Sequence, residues 1–216
     1  MSEILSVDPT APQPERLARA AALLRSGGLV AISTDTVYGL AADPFNADAV
    51  EKIFAAKGRA ADAPLLLLVD SIEMAVSLSK NLPISFPPLV KRYWPGPLTI
   101  VVEASERIPA AVTANTGQVG LRLPAAAIPQ ALVSALGGPI TGTSANRSGR
   151  PACRSAAEAE SALGDIVLLI LDGGPSPNAV PSTVVRLTRG SWEMIREGAI
   201  QRAELESFLQ SLEAGK

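Results

Sequence analysis

Short apolar runs alternate with helical patterns along most of the chain, and no other feature of the sequence restricts its fold as strongly. Apolar residues recur with helical spacing over residues 15–25 and 47–57, and a glycine follows each segment within two residues. Aliphatic runs at 29–33 and 65–69 predict buried strands. The same patterns predict further helices at 72–79, 87–93, 155–164 and 203–212, and further strands at 98–103, 120–123, 139–143, 166–171, 182–187 and 192–196. Strand–helix alternation followed by consecutive strands is typical of an α/β fold with a mixed sheet, so we expect one domain of this class.

The composition excludes several classes of enzyme. The 216 residues include no histidine, which rules out Ser-His-Asp and Cys-His catalysis, HExxH sites and His-ligated metals. Cys153, the single cysteine, can form neither an internal disulfide nor a CxxC zinc cluster, which favours a reducing compartment. The longest aliphatic runs are far shorter than the ~20 residues of a membrane span, and the first residues do not resemble a signal peptide. We therefore expect a soluble, cytoplasmic protein with no membrane partner.

The charged residues are unevenly distributed, although the net charge is only -2. Residues 107–157 contain no Asp or Glu, and the basic residues among them are all arginines: Arg107, Arg122, Arg147, Arg150 and Arg154. Arginine can hold phosphate or carboxylate oxygens with two parallel hydrogen bonds, so this segment suits an anion. A solvated basic face would have the same composition. Because the chain has neither a GxxxxGK[ST] loop nor a GxGxxG motif, any phosphate site must be built differently.

Four polar segments at the ends of predicted elements could build such a site. Residues 33–40 place three hydroxyl groups and a carboxylate where an amino-acid-sized ligand could bind, although an Asx or ST turn has the same composition. Residues 57–59 place two cations around a glycine, which suits phosphate but is also common at helix C-termini. Residues 141–150 could form an anion-binding nest or a solvated turn. The fourth segment, 181–185 with 196–200, indicates little in isolation.

Together with residues 94–99 and 120–124, these segments resemble in order and spacing the YrdC/TsaC family, the threonylcarbamoyl-adenylate synthases. The resemblance covers about residues 15–200 and rests on seven blocks: STDTVYGL, KGR, WPGPLT, VGLRLP, TSANRSG, STVV and REGAI. It implies a YrdC-like fold, a single-domain twisted open mixed sheet with flanking helices and a concave, positively charged face. It also implies an N-terminal extension over 1–14, a catalytic domain over 15–200 and a C-terminal helix or tail over 201–216, as in the short form of the family.

The resemblance implies an activity as well. Members of the family condense L-threonine, bicarbonate or carbon dioxide, and ATP to L-threonylcarbamoyladenylate and pyrophosphate. The product feeds N6-threonylcarbamoylation of adenosine 37 in tRNA. The implied partners are therefore ATP, L-threonine, bicarbonate, a downstream threonylcarbamoyl-transferase complex, and tRNA or double-stranded RNA. Mg²⁺ is expected on the triphosphate, with no dedicated metal site on the protein.

Eight residues receive roles from their positions in the family motifs. The residues expected to catalyse the reaction by holding phosphates are Lys57 and Arg59. The residues expected to bind ATP are the same two with Ser144, Asn146 and Arg196. The residues expected to bind threonine are Thr36, Arg122 and Ser182. Among these, Arg122 would pair with the carboxylate as a two-pronged fork.

Four positions depart from the family pattern. Members often have Pro at Ser33, Lys or Asn at Ala63, His at Leu68 and Glu at Pro181. Leu68 replaces a polar contact, which predicts a reshaped amino-acid pocket. The main alternative function is a double-stranded RNA or tRNA-binding module without turnover, against which stand 4% aromatic residues and a slightly acidic charge. A carbamoyl-transfer enzyme related to hydrogenase maturation factors would need zinc-finger and acylphosphatase-like modules, for which this chain has neither the length nor the cysteines.

Overall fold

The computed structural model describes residues 2–58, 64–177 and 180–214, without the side chains of residues 213 and 214. Within these residues the helices are α1 (Pro14–Arg25), α2 (Ala47–Lys57), α3 (Ile72–Ser77), α4 (Phe86–Tyr93), α5 (Ala110–Thr113), α6 (Ala127–Leu136), α7 (Ala156–Leu163) and α8 (Arg202–Ala214). The strands are β1 (Glu3–Ser6), β2 (Val30–Ile32), β3 (Gly39–Ala41), β4 (Leu66–Leu68), β5 (Leu98–Glu103), β6 (Gln118–Arg122), β7 (Ile140–Thr141), β8 (Thr143–Ser144), β9 (Leu169–Asp172), β10 (Thr183–Thr188) and β11 (Ser191–Arg196). None of the helices described is both long and apolar enough to cross a bilayer.

The strands form two hydrogen-bonded sheets, and each sheet mixes parallel and antiparallel pairs. The five-stranded sheet has the order β1-β9-β2-β3-β8, in which β1, β9 and β2 are parallel. The six-stranded sheet has the order β11-β10-β5-β6-β4-β7, with β10 parallel to β5 and β6 parallel to β4. This arrangement confirms the predicted α/β class with mixed strands and flanking helices, although the strands divide between two sheets where the sequence patterns indicated one.

The chain passes from one sheet to the other at Gly142. The predicted strand at 139–143 is therefore two short strands: β7 pairs with β4 in the six-stranded sheet, and β8 pairs with β3 in the five-stranded sheet. A Cβ atom on Gly142 would lie 2.6 Å from Cγ of Leu68, so only glycine lets the backbone cross this close to β4. The crossing brings the segment after Gly142 next to the face of the six-stranded sheet.

Local sequence signals explain where two helices near the candidate site begin and end. At the start of α2, the side chain of Asn46 accepts a backbone N–H, and Gly58 ends the helix with a φ of 60°. At the start of α7, Ser155 accepts the N–H of Glu158, as in a capping box. The Glu158 carboxylate accepts the N–H of Arg154 instead of that of Ser155. Both helix starts were predicted from the sequence and are confirmed.

Four elements lie where the sequence patterns predict no regular structure, namely β1, β3, α6 and the short helix α5. The strand β1 falls within the predicted N-terminal extension and pairs with β9, while the domain boundary at residue 14 stays a prediction. The strand β3 is only Gly-Leu-Ala, residues with little preference for strands, and it is held by its partners β2 and β8. The helix α6 contains Pro129, but in its first turn, where a missing N–H costs no hydrogen bond within the helix.

Candidate active site

A cavity of about 540 Å³ lies against one face of the six-stranded sheet. Alternate residues of β4, β5, β6 and β10 form its floor, because successive side chains of a strand point to opposite faces. Its other wall comes from residues 34–39 and 142–144, which belong to or adjoin the five-stranded sheet. The volume is within the usual range for small-molecule sites. We call this space the site cavity.

Arg122, at the end of β6, lines the site cavity and is only 3% exposed. Its Nε donates to the carbonyl of Gly96 at 3.0 Å, and its Nη1 donates to Oγ1 of Thr36 at 2.9 Å. Its Nη2 lies 2.7 Å from Oδ2 of Asp35. Although this distance makes an ion pair, the N–H groups of Nη2 have no well-aligned acceptor among the described residues.

Burial and the carboxylate of Asp35 have opposing effects on the pKa of Arg122. Removal from water lowers the pKa of its guanidinium, and the neighbouring carboxylate of Asp35 acts in the opposite direction. A buried guanidinium costs several kcal/mol in lost hydration, which only close partners can offset. The segment 33–40 therefore supplies both a counter-ion and a hydroxyl group to Arg122. Asp35 pairs with this arginine and is not among the residues that line the site cavity.

Arg196, at the end of β11, supplies a second guanidinium to the site cavity. Its Nη2 donates to the carbonyl of Ser182 at 2.8 Å, and Oγ of Ser182 lies 2.8 Å from Oγ1 of Thr99. The pKa of Arg196 is lowered mainly by burial and also by the positive charge of Arg122. In the part of the chain that the structure describes, no acidic side chain pairs with Arg196. Two guanidiniums, of which only that of Arg122 has a carboxylate partner among the described residues, favour the binding of an anion.

Lys57, the last residue of α2, fixes the turn after β8. It is 4% exposed, and its Nζ donates to the carbonyl oxygens of Ser144 and Asn146, both at 2.6 Å. The side-chain oxygens of the same two residues lie 3.3 and 3.2 Å away. The carbonyl of Lys57 in turn accepts the N–H of Ser148. The ammonium group thus holds the turn at 144–148 against the end of α2.

The structure brings together most of the residues to which the sequence assigned roles. Those that line the site cavity are Thr36, Arg122, Ser144, Ser182 and Arg196. Those in contact with Ser144 but outside the cavity lining are Lys57 and Asn146. Arg59 and Ala63 lie outside the described residues. The roles of all these residues in binding or catalysis stay predictions.

Several cavity residues received no individual role from the sequence, although some of them lie within the candidate segments. They are polar side chains on the same face as the predicted ones: Thr34, Thr99, Gln118, Thr143 and Arg186. Alternate residues of a strand point to the same face. Ser182, Val184 and Arg186 are alternate residues within or just before β10, so this pattern could have indicated Arg186. Arg186 donates to Gln118 at 3.1 Å and to Glu193 at 2.6 Å, so its charge is already compensated.

The arginine-rich segment contributes less to the site cavity than its composition suggested. Of its five arginines, Arg122 alone is among the residues found to line the cavity. The other four are exposed: Arg107, Arg147, Arg150 and Arg154. Arg147 lies 3.8 Å from Asp165, in an exposed pair that contributes little to stability. The positive charge of the cavity comes from residues far apart in the sequence.

Two of the departures from the family pattern lie at the site cavity. Leu68 is 2% exposed and pairs with Arg122 across β4 and β6, so an apolar side chain adjoins the guanidinium. Pro181 also lines the cavity. A third departure, Ser33, lies beneath the wall, where its Oγ accepts the N–H of Gly173. The part of the cavity next to Arg122 is therefore partly apolar.

A hydrogen-bonded anchor joins the cavity wall to the loop that follows β9. The hydroxyl of Tyr38 lies 2.7 Å from Oδ1 of Asp172 and 2.8 Å from the carbonyl of Gly174. Burial, together with the carboxylate of Asp172, raises the pKa of Tyr38 far above its ordinary value. Tyr38 therefore keeps its proton and fixes the segment that carries Thr36.

The described residues contain no cluster of three or more Cys, Asp or Glu side chains that could hold a metal ion. Asp35, next to the cavity wall, is paired with Arg122. The cavity is thus built from guanidinium, hydroxyl and backbone groups. Such groups can bind anions and position reacting atoms, but they offer little acid–base chemistry.

Comparisons with known proteins show the family to which the chain belongs. The family model Sua5_yciO_yrdC, described as telomere recombination, matches residues 22–198. The threonylcarbamoyl-AMP synthase of Pyrococcus abyssi is 40% identical over 190 residues, covering 88% of this chain and 56% of that protein. The threonylcarbamoyl-AMP synthase of Bacillus subtilis is 36% identical over 202 residues, covering 93% of this chain and 58% of that protein.

A solved structure has a similar fold. The crystal structure of P. abyssi Sua5 complexed with L-threonine superposes with a TM-score of 0.92 at 37% identity, covering 96% of this chain and 61% of that one. The chain therefore spans somewhat more than half the length of these relatives.

Proposed function

Since the chain belongs to the Sua5/YciO/YrdC family, we propose that it is an L-threonylcarbamoyladenylate synthase. It condenses L-threonine, carbon dioxide supplied as bicarbonate, and ATP to L-threonylcarbamoyladenylate and pyrophosphate. One observation carries the proposal: the buried guanidinium of Arg122 and the more exposed guanidinium of Arg196 share one cavity and are close enough for the charge of Arg122 to lower the pKa of Arg196. Such a site favours two anionic groups placed side by side, which this reaction requires.

The amino acid binds at the Arg122 end of the site cavity. The available N–H groups of Arg122 hold the carboxylate, and the hydroxyl groups of Thr36 and Ser182 contact the remaining polar atoms. Leu68 and the neighbouring aliphatic side chains of β4 face the carbon atoms of the ligand. Support for L-threonine comes from the relative whose structure is described as a complex with that amino acid.

The nucleotide binds toward Ser144 and Arg196. Arg196 stabilises phosphate charge, and Arg59 adds a second cation next to the end of α2. Lys57 holds the turn that presents Ser144 and supplies positive charge behind it. Mg²⁺ enters as part of the substrate, on the phosphate oxygens of ATP, because the described residues offer no cluster of carboxylates for it. No step of the proposed reaction depends on a metal site of the protein.

The reaction proceeds by addition and then displacement. The amine nitrogen of threonine forms a bond to carbon dioxide and releases a proton, which leaves a carbamate. A carbamate oxygen then forms a bond to the α-phosphorus as the bond to the pyrophosphate oxygen breaks. Arg122 and Arg196 reduce the repulsion between the two anions, so catalysis is by positioning and charge stabilisation. The absence of histidine from the sequence is compatible with this chemistry.

The product is an activated carbamate that must be passed to an acceptor. We place the reaction in the cytoplasm, upstream of a threonylcarbamoyl-transferase complex that modifies adenosine in tRNA. The arginines at 147, 150 and 154 are exposed and therefore accessible for a contact with tRNA near the cavity. The whole proposal applies to the domain present in this chain, which is the part that its longer relatives share with it.

Pyrophosphate release from ATP tests the proposed function. The assay uses each amino acid in turn, with and without bicarbonate, and a parallel series without ATP serves as the control. We expect release that requires both L-threonine and bicarbonate. Release that needs an amino acid but not bicarbonate would indicate aminoacyl adenylation and contradict the proposal. Tight binding of double-stranded RNA or tRNA without any turnover would support the RNA-binding alternative instead.

A further inference from the structure

The hydroxyl group of Thr34, in the wall of the site cavity, has a fully determined hydrogen-bond pattern. Its Oγ1 lies 2.7 Å from the carbonyl oxygen of Val37. A carbonyl oxygen can only accept, so the single hydroxyl hydrogen of Thr34 is donated there. The same Oγ1 accepts the backbone N–H of Thr36 at 3.1 Å. Thr34 therefore has no hydrogen left to donate.

The orientation of the Thr36 hydroxyl follows from that of Thr34. The two Oγ1 atoms lie 3.0 Å apart, and since Thr34 has used its hydrogen, Thr36 must be the donor in this bond. Oγ1 of Thr36 also accepts a hydrogen bond from Nη1 of Arg122. Among the described residues no further group donates to it, so one lone pair remains. Facing the site cavity, Thr36 can accept a hydrogen bond but cannot donate one.

The hydrogen-bond donors of Arg122 and the acceptor of Thr36 match the carboxylate and the amine of an α-amino acid. A carboxylate only accepts hydrogen bonds, so it fits the N–H groups of Arg122 and not the hydroxyl of Thr36. An amine donates, so it fits the remaining lone pair of Thr36. The donor Nη1 and the acceptor Oγ1 lie 2.9 Å apart, which suits a carboxylate and an amine carried on the same carbon atom.

We propose that Thr34 is a positioning residue that makes Thr36 an acceptor for the substrate amine. The assignment rests on the proposed function, because it takes an α-amino acid as the ligand. An amine that donates to Thr36 keeps its nitrogen lone pair free to attack carbon dioxide. Without Thr34, the Thr36 hydroxyl could rotate and donate to that lone pair, which would weaken amine recognition and hinder the attack.

The variant Thr34→Val tests the assignment, because valine keeps the shape of the side chain but removes the acceptor. The Kd values of L-threonine and of (R)-3-hydroxybutanoate, which is threonine without its amine, are measured by ligand-observed NMR with the full chain. Loss of one hydrogen bond predicts a rise of about tenfold in the Kd of L-threonine. The Kd of (R)-3-hydroxybutanoate should change less than about twofold, since that ligand has no amine to lose.

Thr34→Ser is the matched control, because serine restores the hydroxyl and should restore the preference for the amine. Equal weakening of both ligands in Thr34→Val, or a Thr34→Ser variant as impaired as Thr34→Val, would overturn the assignment. If Thr34→Val does not fold, Thr36→Val must show the same selective loss, and its absence would equally overturn the assignment. Failure of the wild-type chain to bind L-threonine at all would instead overturn the proposed function.

Discussion

Arg122→Lys is expected to raise the KM for L-threonine about a hundredfold while changing the KM for ATP less than about threefold. Lysine presents a single ammonium group, so it cannot keep the contacts to Gly96, Thr36 and Asp35 and also face a carboxylate with two N–H groups. Loss of a charged, two-pronged contact corresponds to about 3 kcal/mol, which gives the hundredfold estimate. Steady-state pyrophosphate release with each substrate varied in turn measures both constants.

The matched control for this variant is Arg107→Lys, which makes the same change at an exposed arginine outside the site cavity. It should leave both KM values within about twofold of the wild type, as expected for a surface substitution. Equal losses for L-threonine and ATP in Arg122→Lys would contradict the carboxylate assignment. They would indicate that Arg122 supports the whole cavity and does not select one substrate.

Lys57→Met is expected to lower the free energy of unfolding by about 3 kcal/mol and pyrophosphate release by more than about tenfold. Methionine is similar in length but cannot donate, so the buried carbonyl oxygen of Asn146 would lose the ammonium group, and that of Ser144 would keep only the N–H of Asn146. Each buried polar group left without a partner costs about 1–3 kcal/mol. Urea unfolding of the purified chain measures the stability, and the pyrophosphate assay measures the activity.

Lys91→Met serves as the control for Lys57→Met, because Lys91 is an exposed residue near the end of another helix. It should change the free energy of unfolding by less than about 0.5 kcal/mol. The comparison also separates two roles for Lys57. A Lys57→Met variant as stable as the wild type but with a greatly raised KM for ATP would show that Lys57 binds phosphate directly and is not an anchor of the turn.

The parts of the fold that sequence patterns predicted are those determined by nearby residues. Asn46 and Gly58 mark the ends of α2 because capping and a left-handed backbone are local requirements. The buried face of α1, with Leu17 and Leu24, follows directly from helical spacing. Strands such as β5, with its run of apolar residues, were predicted for the same reason.

The parts that could not be predicted depend on contacts between distant residues. Nothing local to Gly-Leu-Ala indicates the strand β3, which exists because β2 and β8 pair with it. Lys57 was interpreted as a phosphate ligand, and its bonds to the turn at 144–146 join residues 87 and 89 positions apart. The charge pattern predicted a basic surface but could not show that Arg122 is buried while Arg150 is exposed.

The candidate site was predicted from the sequence only in part. Most of its polar residues belong to the family motifs, and each motif lies at the end of a strand or helix. The motifs did not indicate the direction of the hydrogen bonds among Thr34, Thr36 and Arg122, which depends on atomic positions in the folded chain. Nor did they indicate that Asp35 is the counter-ion of Arg122. These contacts determine which ligand groups the cavity can bind.

Incubation with carbon-13-labelled bicarbonate, L-threonine and ATP tests most directly whether the cavity joins an amino acid to a nucleotide through carbon dioxide. The adenylate formed is isolated and its carbon-13 and phosphorus NMR spectra are recorded. We predict one labelled carbonyl carbon, bonded to the threonine nitrogen and coupled through oxygen to the α-phosphorus. An adenylate without the label, such as threonyl-adenylate, or a labelled carbamate never attached to phosphorus, would contradict the account.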